Sequence, residues 1–120
     1  MDLILSFIYH IVEKDYFHQQ EKLEHYVAPS LAEVGFIHFS KTDQLLQVAN
    51  SFYKGQNQLY LLKVDETALK AELKMEPPLE APNSGLLFPH LYGPLNWDAV
   101  VGKIDWHAGE DGTFSLPDLS

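Results

Sequence analysis

Apolar positions in this chain fall into short blocks separated by polar or turn-forming residues, and their spacing predicts alternating strands and short helices. In "ILSFIYHIV" (4–12) β-branched and aromatic residues predominate and the run stops at Glu13, which predicts a strand. The next stretch, "EKDYFHQQEKLEHY" (13–26), is polar with apolar residues spaced at Tyr16, Phe17 and Leu23, as in an amphipathic helix. Pro29 and "SLAEVG" predict a turn or a single helical turn closed by Gly35, whose missing Cβ suits a left-handed cap. "GFIHFS" (35–40) then reads as a strand in which His38 shares one face with Phe36 and Ser40, while Ile37 and Phe39 share the other.

Further along, Thr42 is placed to cap a helix "DQLLQVANSFY" with a broad apolar stripe, ended by Gly55 and Asn57. "LYLLKVD" (59–65) predicts a central, buried strand, "ETALKA" a helical turn, and "ELKMEP" a half-buried strand stopped by Pro77 and Pro78. Residues 77–96 hold five of the seven prolines and two glycines, the signature of a long stiff loop. "AVVGKIDW" resumes as a strand, followed by a turn at Asp111–Gly112 and a tail. The whole is an α+β pattern of one domain over 1–120, with a core at about 1–106 and a turn and tail over 107–120.

Composition narrows the partners. Eight basic residues stand against 17 acidic ones, a formal charge of −9, with no basic cluster to neutralise a phosphate backbone. Duplex nucleic acid and anionic membrane surfaces are disfavoured. The absence of cysteine excludes disulfides, thiolate metal sites and a cysteine nucleophile, and fits a cytoplasmic protein. The apolar opening carries Asp2 where a signal peptide needs positive charge, and it is too short to span a bilayer. Oligomeric state is not legible.

Three histidines lie in apolar contexts: His10 in "IYHI", His38 in "GFIHFS" and His90 in "LFPHLYGPL". Each has packing as the simpler explanation, a core imidazole satisfied by a backbone carbonyl, yet three in one small domain suggest that they meet. His18 and His25 belong to a polar stretch and read as solvated. A metal is disfavoured because the three are far apart in sequence, with no i, i+4 pair and no acidic ligand cluster. Ser40 and Ser30 lack a nucleophile elbow, and phosphate-binding glycine motifs are missing. Glu76, ending a strand beside the proline-rich segment, is a candidate general base whose simpler state is a solvated carboxylate.

Taken together, "IYHI", "APSLAEVGFIHFS", "VANSFYKG", "LYLLKVD" and "LLFPHLYGPLNWDAVV" resemble the bacterial proteins of domain of unknown function 952 over nearly the whole chain. Members usually carry glutamate immediately before "GFIH"; here that position is Val34, with Glu33 one place earlier, and the usual aromatic before the strand-end glutamate is Met75. The resemblance implies a split mixed sheet of the ADP-ribosylation type, whose cleft binds NAD in the active enzymes. It places His10 where poly(ADP-ribose) polymerases hold NAD, His38 where a nicotinamide-stacking tyrosine would stand, and Tyr53 near a second aromatic position. The late-strand glutamate of those enzymes is not evident, since "FPHLYGPL" offers His90 instead.

The expectation is a cleft lined by His10, His38, Ser40, Tyr53, His90 and Tyr92, with His38, His90 and Glu76 as candidate catalytic groups. It would bind or turn over a nucleotide-like or phosphorylated small molecule, with NAD or a related nucleotide as cofactor class and an ADP-ribosyltransferase-like or related transferase as enzyme class. The alternative is a non-catalytic interaction module using the proline-rich 77–96 segment.

Overall fold

The computed structural model describes residues 6–120, so positions 4 and 5 of the expected first strand lie outside the described residues. β1 (Phe7–Glu13), β4 (Leu59–Asp65) and β8 (Val100–Trp106) form one antiparallel sheet in the order β1-β4-β8, with β4 central as its apolar run predicts. Both faces of β1 and β4 are covered. Ile8 and Val12 join Leu62 and Val64 in one core cluster, while Tyr9 and Ile11 join Leu59 and Leu61 in another. A strand buried on both faces reads as a continuous apolar run, which is why β1 showed no period of two.

The second sheet, in the order β3-β6-β5, is built from β3 (Ile37–His38), β6 (Phe88–Tyr92) and β5 (Glu72–Glu76). Its central strand falls inside the segment expected to be a loop. Only residues 77–87 connect; Phe88–Tyr92 is β6, and Leu95–Asn96 is β7, paired with β2 (His25–Tyr26). Proline inside a run argues against a central strand because it cannot donate to the ladder. Pro89 serves as acceptor only, its carbonyl taking the Phe39 N–H at 3.0 Å.

Every strand pairing among the described residues is antiparallel, so the expected mixed sheet is corrected. Each recorded ladder runs its two strands in opposite directions, and none shows the parallel neighbour that a mixed sheet requires. Of the helices, α1 covers only Lys14–Gln20, because His25 and Tyr26 are drawn into the β2–β7 ladder. α2 (Pro29–Val34) is closed by Gly35 at φ 91°, as its sequence implied. α3 (Leu45–Phe52) follows a 3-10 turn at Thr42–Gln44, and the cap is not Thr42: the Gln44 side chain accepts the Lys41 N–H at 3.0 Å. The tail is tied down, with Phe114 buried in the second cluster and the Trp106 indole donating to the Ser115 carbonyl.

Candidate functional site

The site lies where the two sheets part. Residues 37–40 belong to both: Ile37 and His38 pair with Leu91 and His90 of β6, while Ser40 exchanges backbone hydrogen bonds with Tyr9 of β1. His10 spans the gap between them. Its Nδ1 lies 2.7 Å from the His38 carbonyl and its Nε2 2.7 Å from the Tyr26 hydroxyl. A carbonyl only accepts, so Nδ1 bears the proton and Nε2 accepts from Tyr26. Burial holds the imidazole neutral, with a pKa lowered to about 4. With both nitrogens committed, His10 is a structural pin of the cleft wall.

His38 is exposed rather than packed in the core, and the period of two holds: Ile37 and Phe39 are buried below while His38 sits beside Phe36, ring centroids 4.9 Å apart. Burial by its neighbours, then His90, lowers its pKa. The imidazole meets His90 edge-on at 5.7 Å.

His90 is on β6, not in a loop, and its side chain is 3% exposed. Phe36 stacks on it at 3.8 Å and 18°, which fixes the ring plane. Its Nδ1 lies 3.0 Å from Glu76 Oε1, the same oxygen to which the Tyr92 hydroxyl donates at 2.5 Å. Both donors hold the Glu76 carboxyl below the usual carboxylate range, Tyr92 first and His90 second. An ionised carboxylate accepts, so His90 Nδ1 bears a proton, and the neutral tautomer with that proton has its lone pair on Nε2. That nitrogen has no protein partner among the described residues, and no unpartnered side-chain N or O is sealed from solvent there. The arrangement is a carboxylate-oriented imidazole with a free basic nitrogen.

These elements enclose a cavity of about 650 Å³, within the size range of small-molecule sites. His10, His38, Ser40, Tyr53 and His90 all line it, so five of the six expected ligand residues come together. Tyr92 and Glu76 do not line it. Tyr92 shares the face of His90 but is boxed between Phe36, the Lys74 ammonium at 4.8 Å and Glu76, so its contact with a ligand is corrected to support of the carboxylate. Glu76 likewise lies one residue behind the cavity wall, bonded to His90, which does line it. Tyr16 and Tyr26, also in the lining, were missed because the sequence placed both on one amphipathic helix. Nothing local announces that Tyr26, on β2, completes the hydrogen bonding of His10, since the partners are joined only by the fold.

No three His, Asp or Glu side chains among the described residues gather as metal ligands do. No helix among them is long and apolar enough to cross a membrane.

An α+β fold of two three-stranded antiparallel sheets and a two-stranded ladder, with a histidine- and tyrosine-lined cavity at the junction, defines the class of protein. The chain belongs to the family described as protein of unknown function (DUF952), whose model matches residues 11–103. It is similar to protein CC0527 from Caulobacter crescentus, whose crystal structure has 33% identity and a TM-score of 0.77, covering 92% of this chain and 95% of that one. The solution NMR structure of CC0527 gives 30% identity and a TM-score of 0.77, covering 93% of this chain and 94% of that one. Among curated proteins none matches.

Proposed function

We propose that the cleft binds a small nucleotide-like molecule and that His90, oriented by Glu76, accepts a proton from it. The observation that supports this most directly is the His90–Glu76 pair at 3.0 Å with Nε2 left free in a wall of the cavity. Tyr16, Tyr53 and Phe88 offer flat apolar surface for a ring, and the Ser40 hydroxyl and His38 imidazole offer hydrogen bonds. Of the two ligand kinds expected, nucleotide-like and phosphorylated, this lining supports the first, since phosphate recognition rests on lysine, arginine or backbone nests and no lysine or arginine lines the cavity. The ADP-ribosylation-type reading belongs to this proposal in its binding part, with His10 on the first strand and His38 on β3. Its transfer chemistry needs a carboxylate against the ribose, and Glu76 instead acts through His90.

The test is a melting-temperature screen with adenosine, other nucleosides, ADP-ribose and NAD. A ligand that binds only the folded chain raises the midpoint, by about 2.7 kcal/mol of stability at a hundredfold excess over Kd. At least one nucleoside should do so, and His90→Phe, which keeps the stack on Phe36, should weaken the response. No shift with any of them refutes the reading. A second reading, docking of a partner on the proline-rich connection, is favoured by Leu79, Leu86 and Leu87, which are 57%, 43% and 46% exposed.

A further inference from the structure

The cleft has a charge pattern that its histidines and tyrosines leave unexplained. Three carboxylates line it, Glu13 at the end of β1, Glu33 on α2 and Glu80 in the 77–87 connection. They approach from three different segments, with Glu13 close enough to influence the Tyr53 hydroxyl and Glu80 the His38 imidazole. No cation answers them in the lining. The chain has eight basic residues, every one a lysine, and none lines the cavity. Lys74, on the face of the second sheet, is engaged with the Tyr92 ring and with Glu72 at 3.9 Å.

Two largely buried side chains, each with a polar atom that reaches the cleft, also point to a ligand. The His90 side chain is 3% exposed and Ser40 is 5% exposed, and neither His90 Nε2 nor the Ser40 hydroxyl has a protein partner among the described residues. In the neutral imidazole whose Nδ1–H donates to Glu76, Nε2 bears a lone pair and asks for a donor. An ammonium N–H is a donor, and its charge is attracted both by carboxylates and by the negative faces of tyrosine and phenylalanine rings.

We propose that the cleft takes an organic cation, a small molecule carrying a flat ring and a protonated amine that donates to His90 Nε2, in preference to its neutral or phosphorylated counterparts. The inference rests on reading this cleft as the site for a nucleotide-like ligand and narrows that reading to one charge class. Acidic clefts of this kind raise the local concentration of a cation by tenfold or more and depress that of an anion, an effect that salt screens.

The experiment is calorimetric titration at pH 7 and low salt with three ligands of one shape: 5′-amino-5′-deoxyadenosine, adenosine and adenosine 5′-monophosphate. The amine should bind about tenfold or more tighter than adenosine, and the monophosphate weakest. The preference should shrink in 0.5 M salt and in the Glu13→Gln/Glu80→Gln double variant, whose substituted side chains belong to exposed residues. Equal binding of all three, or tightest binding of the monophosphate, overturns the cation inference and leaves the nucleotide-like reading standing. If the whole series is silent, tyramine, tyrosol and 4-hydroxyphenylacetate repeat the comparison on a phenol ring. Preference for tyramine there upholds the cation and removes the nucleotide; silence again removes both.

Discussion

His10 ties stability to pH in a direction and range that the structure defines. The imidazole is 7% exposed, donates from Nδ1 to the His38 carbonyl and accepts at Nε2 from Tyr26. Burial lowers its pKa from 6.5 to about 4. Between those values the unfolded chain holds a proton that the folded chain does not, so acidification favours unfolding. The stability conferred by neutral His10 is therefore complete above pH 6.5 and is lost as pH falls to about 4. At about 1.4 kcal/mol per pH unit, the whole loss is about 3 kcal/mol, a large share of the 5–15 kcal/mol typical of a domain. His10→Asn keeps a donor for the His38 carbonyl but leaves the Tyr26 hydroxyl without its acceptor, a cost of about 1–2 kcal/mol at pH 7.5. The variant has no imidazole to protonate, so it loses about 2 kcal/mol less than the wild type by pH 5. Urea unfolding followed by the fluorescence of Trp97 and Trp106 measures both chains from pH 7.5 to 5. The gap between them should close or invert across that range; a constant gap refutes the assignment of His10 as the neutral pin.

Three further outcomes are expected. An added Cβ at Gly93 would lie 2.7 Å from the Ala71 Cβ, so Gly93→Ala should lose about 1–3 kcal/mol by urea unfolding and recover much of it when combined with Ala71→Gly. His90→Ala empties a side-chain site that is 3% exposed and stacked on Phe36, so it should cost about 2–3 kcal/mol, whereas His90→Phe should cost less while abolishing any proton transfer that His90 performs. Neither the wild type nor Glu76→Gln should release nicotinamide from NAD above background, because the carboxylate is spent on His90 and Tyr92; release by the wild type that vanishes in the variant would make Glu76 catalytic.

Local chemistry was enough to reveal the blocks of the fold that depend on near neighbours. β4 fills Leu59–Asp65, α2 ends where Gly35 adopts φ 91°, and β3 turns His38 and Phe36 to the same side because alternation is a property of any extended strand. The gathering of His10, His38 and His90 was legible in outline, since imidazoles in apolar segments need partners. Their roles were not. The proline at position 89 disguised a central strand as a loop, and with it the fact that His90 is a buried residue bonded diagonally across the ladder to Glu76, two places from its register partner Lys74. His10 looked like a ligand contact until Tyr26 arrived from β2, sixteen residues away, to occupy its second nitrogen. Tyr92 was displaced from the cleft in the same way, by a carboxylate on a neighbouring strand. A titratable side chain is defined by what closes around it, and the hydrogen-bond partners of His10, His90 and Tyr92 all come from other strands. Alternation along the chain sets which way a side chain faces; only the pairing of strands sets what it meets.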